Sequence, residues 1–176
     1  LLTDEQFNAI KQACEEIMAG QHHEHFPCDM IQGGAGTTTN MNANEVIANR
    51  ALQIMGHEAG EYQYCSPNDH VNCSQSTNDA YPCGIHLGLY ATHLVFMKHY
   101  DALIESFAKK AKEFAHILKM GRTQLEDAVP MTLGQTFGAF ASILRDEIRN
   151  VNFAAEEFLT VNMGATAIGT GICSEP

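Results

Sequence analysis

Three stretches of this chain carry more small polar side chains than a helix start requires. The first is Gly33-Gly34-Ala35-Gly36-Thr37-Thr38-Thr39-Asn40-Met41-Asn42-Ala43-Asn44-Glu45. Glycines let a backbone approach a ligand closely, and N–H groups at a helix start hold anions. Capping a helix takes one side-chain oxygen, whereas this run offers six hydroxyls and amides. The Gly-Lys-Ser/Thr ending is absent, so the run is not a phosphate-binding loop of the Walker type. The second stretch is Asn68-Asp69-His70-Val71-Asn72-Cys73-Ser74-Gln75-Ser76-Thr77-Asn78-Asp79-Ala80-Tyr81-Pro82. It too runs into a helix start, where the dipole favours a carboxylate. A cap followed by proline explains one of Ser76, Thr77 and Asn78, but not all three. The third is Lys119-Met120-Gly121-Arg122-Thr123-Gln124-Leu125-Glu126-Asp127-Ala128-Val129-Pro130, which by itself reads as a plain connector between helices.

Other reactive residues fall short of a site. His22, His23 and His25 surround Glu24, but their spacing is not that of His-Glu-x-x-His, so solvated loop residues are expected and no metal is assigned. The six cysteines, at 14, 28, 65, 73, 83 and 173, include no Cys-x-x-Cys pair, and free thiols in a reducing cytosol are expected. No nucleophile–base pair can be assigned. Asn72-Cys73-Ser74 matches a glycosylation sequon, which the lack of a secretory signal discounts.

The elements that must hold these stretches are helical. A capping box of Thr3 and Gln6 opens a helix over 3–18, with Phe7, Ile10, Cys14, Ile17 and Met18 at helical spacing. A loop over 21–36 leads to a second helix over 40–55, and a polar, irregular stretch over 57–75 carries the turn signal Ser66-Pro67-Asn68-Asp69. Two long helices follow, over 76–114 with Pro82 in the first turn, and over 131–160. Their length suggests a bundle whose apolar seam is shared with neighbours. No β-period persists anywhere, so the fold class is all-α.

Composition narrows the partners. The chain is 45% hydrophobic and 18% charged, as folded globular proteins are. Its formal charge of −11, from 21 acidic and 10 basic residues, includes no basic cluster, which argues against nucleic acid or an anionic membrane. No apolar run reaches the roughly 18 residues of a membrane span. An amphipathic pattern from the first residues suggests that the chain begins inside something larger.

Taken together, the polar stretches resemble the aspartase/fumarase superfamily. The residues that carry the resemblance are Gly34-Ala35-Gly36-Thr37 with Asn40-Met41-Asn42 and Asn44-Glu45-Val46, then Pro67-Asn68-Asp69 with Ser74 to Asp79, then Gly121-Arg122-Thr123 and the closing Gly164-Ala165-Thr166-Ala167-Ile168-Gly169-Thr170-Gly171. Gln124 and Gly60-Glu61-Tyr62-Gln63-Tyr64 resemble the members that act on L-aspartate, whereas fumarate hydratases usually have His at the position of Gln124. The resemblance implies a long-helix bundle, with 1–75 closing a first helical domain and 76–176 forming the first half of a central one. It implies anti elimination of ammonia from L-aspartate to give fumarate; hydration of fumarate, or an inactive helical core, are the alternatives. Thr37, Ser76, Thr77 and Asn78 are expected to bind substrate carboxylates, with Thr123 and Gln124 near the reacting end. Asn68 and Asp69 are candidates for a secondary anion site. No catalytic base is expected in this chain, because the family's serine loop should lie beyond Pro176. No cofactor is expected, with activation by a divalent cation left open. A cytoplasmic homotetramer with active sites shared between subunits is the expected assembly, so the three polar stretches are not expected to converge within one chain.

Overall fold

The computed structural model describes residues 1–29, 31, 35–172 and 174. Gly33 and Gly34 of the first polar stretch, and Cys173, lie outside the described residues. Four helices dominate: α1 (Asp4–Met18), α2 (Thr37–Ile54), α3 (Thr77–Glu113) and α4 (Leu133–Glu156). Two strands, β1 (Leu118–Thr123) and β2 (Glu126–Thr132), separate the last two. The helical class therefore stands, but the connector is a β-hairpin and not an irregular link. Within the first unit described below, α1 opens with the expected capping box: Gln6 N donates to Thr3 Oγ1 at 3.2 Å, and Thr3 N to Gln6 Oε1 at 3.0 Å. α2 starts at Thr37, three residues earlier than expected, because Gly36 adopts a left-handed conformation (φ 82°) that turns the chain into the helix.

The chain divides into two compact units. One comprises 1–85 with 161–176, the other 86–160. In the first, α1 packs on α2 through Ala9, Ala48, Ala51, Leu52 and Cys65, with Ile10, Ile54, Met55 and Val71 against them. Alanines at the crossing allow close helix approach, and few contacts are left for the larger apolar residues of α1. Of the seam read from the sequence, Ile10, Cys14 and Ile17 are half-buried, whereas its two ends are open, Phe7 55% exposed and Met18 80%. Arg50 on α2 ties back to Glu16 on α1, with Nε at 2.5 Å from Oε2 and Nη2 at 3.1 Å from Oε1. The Arg50 hydrogen bond, with those from Gln12 and His22, holds the Glu16 carboxyl far below the usual carboxylate range.

In the second unit, the C-terminal part of α3 packs against α4. Phe107 and Phe114 meet Phe137 at centroid distances of 6.0 and 5.4 Å. Phe140 lies 5.5 Å from Phe107, and Ile104 and Ala141 are buried between the helices. Tyr100 Oη donates to the Leu144 carbonyl at 3.1 Å, fixing the crossing with a polar contact. Gly134 permits the approach: a Cβ there would overlap the Ala111 carbonyl and lie 2.7 Å from Ala115 Cα.

Candidate functional site

Against the expectation that the polar stretches stay apart within one chain, the first two lie in one unit and are fastened together. Asn72 is the hub. Its Oδ1 accepts from Asn44 Nδ2 at 3.0 Å and Asn40 Nδ2 at 3.3 Å, both on the first turns of α2. Its own Nδ2 donates to the Gln75 carbonyl at 3.4 Å, one residue before Ser76. Gly36 lies so close to the Tyr81 ring that any Cβ there would overlap it. The start of α2, carrying Thr37, is thereby set against the first turns of α3, which carry Ser76, Thr77 and Asn78. Thr37 is exposed and Thr77 is buried.

The start of α3 is built on Asp79. This carboxylate is buried, and it accepts from Ser76 N at 2.8 Å, Thr166 N at 2.8 Å and Gly164 N at 3.2 Å. Burial pushes its pKa up, but backbone N–H donors from Ser76, Thr166, Ala80 and Gly164 outweigh it and hold the carboxyl below its ordinary value. Ser76 Oγ in turn accepts from Asn78 N at 3.2 Å. Its hydroxyl proton remains available to a ligand, since one oxygen can accept and donate at once. Asn78 is partly committed: its Nδ2 donates to the Ala167 carbonyl at 2.8 Å. Pro82 falls in the second turn of α3, not the first, because the helix begins at Thr77. Lacking an N–H, it leaves the Asn78 carbonyl without its helical donor. Asn162 Nδ2 supplies the replacement at 3.1 Å. Asp79 and Asn162 were not singled out from the sequence. The pairing of Ser76 with Asp79 was legible as a capping signal of serine followed three residues on by an acid; Asn162, 84 residues from Asn78, had none.

Asn68 and Asp69 sit exposed on a single wide turn, Pro67–Val71, where Val71 N donates to Ser66 O and Asn72 N to Pro67 O, each across five residues. Ser66 caps it, accepting from Asp69 N at 3.1 Å. Such π-type turns recur at functional sites.

Thr123 and Gln124 belong to the other unit, at the tip of the hairpin. Thr123 pairs with Glu126, so Gln124 and Leu125 form the whole loop. Both have positive φ, 49° and 71°, as a mirror-image two-residue turn demands. Neither is glycine, asparagine or aspartate, and Leu125 is 93% exposed. The ladder shifts register between Met120 and Arg122, and Gly121 fits there because a Cβ would lie 2.9 Å from the Val129 carbonyl. Arg122 Nε pairs with Asp127 Oδ1 at 3.1 Å beside the tip. The tip thus presents Thr123 and Gln124 to solvent on a braced hairpin.

Comparison with known proteins follows the same line. The lyase family model matches residues 1–176. Aspartate ammonia-lyase of Pseudomonas canavaninivorans is 58% identical over 176 residues, covering 99% of this chain and 37% of that protein. That of Helicobacter pylori is 56% identical over 176 residues, covering 99% of this chain and 38% of that protein. Among solved structures, fumarate lyase:delta crystallin from Brucella melitensis bound to cobalt superposes with a TM-score of 0.88 at 49% identity, over 99% of this chain and 38% of that one. Class II fumarase from Schistosoma mansoni gives 0.81 at 34% identity, over 99% of this chain and 36% of that one. The chain spans little more than a third of the length of these relatives. Matched from end to end, it belongs to the lyase family, of the aspartase/fumarase type.

Proposed function

We propose that this chain is part of a carbon–nitrogen lyase that eliminates ammonia from L-aspartate to give fumarate, and that the enzyme is a cytoplasmic homotetramer. The observation that carries the reading is the fastening of two donor-rich helix starts, at Thr37 and at Ser76 to Asn78, within one unit. The identity to aspartate ammonia-lyases supports aspartate as the substrate. In this reading residues 1–75 close the first domain and 76–176 begin the central one.

The chemistry sets what these residues do. A Cβ proton next to a carboxylate is weakly acidic, and its removal loads a second negative charge onto that carboxylate. Neutral donors fixed beforehand stabilise that charge without reorganising, each contributing about 2.7–4 kcal/mol. Thr37, Ser76, Thr77 and Asn78 hold the substrate carboxylates, aided by N–H groups at the helix starts. Thr123 and Gln124 act from the hairpin tip, in an active site assembled from several subunits. Gln124 is neutral near pH 7, so it positions or polarises and does not shuttle protons. The base is a serine on a loop beyond residue 176. Asn68 and Asp69 serve a secondary anion site.

The likeness to a class II fumarase keeps hydration of fumarate as a second reading. Fumarate absorbance measured with L-aspartate and with malate, on the parent protein and on this chain side by side, separates the two. Aspartate-dependent fumarate with ammonia release from the parent alone is the expected result, and Thr37→Val should lower kcat/KM by roughly 100-fold or more. Fumarate from malate without ammonia release would favour the hydratase, and turnover by the 176-residue chain alone would place the base within it.

A further inference from the structure

Away from the donor-rich helix starts, the turn between α1 and α2 gathers two imidazoles and a carboxylate. His22, Glu24 and His25 each bring a ligating atom within 4.8 Å of the others. Linear spacing hid this, because the meeting depends on backbone shape. His22 is left-handed, at φ 63° and ψ 12°, and a 3₁₀ turn over His23–His25 follows. Residues three apart eclipse one another in such a turn. The rings of His22 and His25 accordingly stack, with centroids 6.3 Å apart and planes 15° apart. Glu24 Oε1 stands 3.6 Å from His25 Nε2.

A second carboxylate orients the arrangement. His22 Nε2 lies 2.9 Å from Glu16 Oε2, and Arg50 grips that same carboxylate. An imidazole donating Nε2–H to a fixed carboxylate keeps its Nδ1 lone pair free, the outer-shell pattern of metal-bound histidines. The turn also borders a cleft of about 450 Å³, whose walls include His22, His25, Asn42, Glu45, Asn49 and Arg50.

We propose that His22, Glu24 and His25 form a binding site for a transition-metal dication such as zinc, with Glu16 as the positioning residue and solvent from the cleft completing the coordination. Two nitrogens and one carboxylate oxygen make a three-ligand set that zinc accepts with positions left open. Imidazole donors select against magnesium, which prefers oxygen. Zinc bonds of about 2.0–2.1 Å place tetrahedral ligand atoms roughly 3.4 Å apart; Glu24 and His25 are already near that separation at 3.6 Å, and the remaining atoms, all within 4.8 Å, need to close by little more than an ångström at most. Glu24 and His25 have that freedom, since their side chains are 70% and 62% exposed.

The test is titration of the metal-free protein with zinc by calorimetry, with magnesium in parallel; it reads binding, so it stands or falls separately from the lyase reading. One zinc per chain is expected at this site, and excess magnesium should not displace it. His25→Ala and Glu24→Gln should each weaken binding by roughly 10-fold or more, and Glu16→Gln by about 10-fold. His25→Ala spares the fold, because Asn42 binds the His25 backbone carbonyl and not its ring. His116→Gln, in the other unit, should change nothing. Unaltered zinc affinity in both His25→Ala and Glu24→Gln, or displacement by equimolar magnesium, would overturn the proposal.

Discussion

Asp79 illustrates how a charged side chain can be buried at small cost: every neighbour that reaches it donates. Backbone N–H groups from Ser76, Gly164 and Thr166 replace the water it has lost. Its folded pKa is lower than in the unfolded chain, so the stability it contributes is full above the ordinary aspartate value and is lost as pH falls through the depressed one. Thermal denaturation from pH 6 down to pH 2 should show that loss in the native protein, and Asp79→Asn should remove this part of the pH dependence. At neutral pH the variant should be less stable by about 1–3 kcal/mol, since an amide turns an N–H toward backbone donors. The Ser76–Asp79 pair was readable because capping is local. The role of Asn162 was not, since it answers a carbonyl vacated by Pro82 far away in the sequence.

At the scale of elements, what was legible depended on whether an element's signal lay within itself. α1, with its Thr3–Gln6 capping box, and the long α3 were readable from periodicity and caps. The hairpin was not. Its turn is Gln124-Leu125 instead of Asn-Gly, and Pro130 within β2 argues against a strand unless that strand is an edge. α2 was placed too late, because three threonines are weak helix formers and the cause of its start is the backbone of Gly36. Gly134 gives the sharpest check on packing. Gly134→Ala should destabilise the α3–α4 pair by about 1–3 kcal/mol, measured by urea denaturation, because the added methyl meets backbone rather than a movable side chain. A Gly134→Ala variant as stable as the native protein would show that the helix ends separate freely.

For the molecule as a whole, large apolar side chains left in contact with water are the dominant feature of the second unit. Leu87, Leu94, Val95, Ile143 and Phe153 on α3 and α4 are each more than half exposed. Among the described residues no helix is long and apolar enough to cross a membrane. Shared burial against other subunits, were the proposed tetramer to form, would cover such faces. Sedimentation of the parent protein should give a tetramer, and Val95→Glu with Ile143→Glu should shift it to smaller species with helical content kept. The mooring of Asp79 to Gly164 and Thr166 carries one more consequence, for protease digestion. Because a single carboxylate both starts α3 and anchors a stretch 85 to 87 residues later, a nick near Ala167 should do more than trim an end. It should loosen the Ser76–Asn78 turn, so a ligand clasped there would slow the cutting of a bond it never touches.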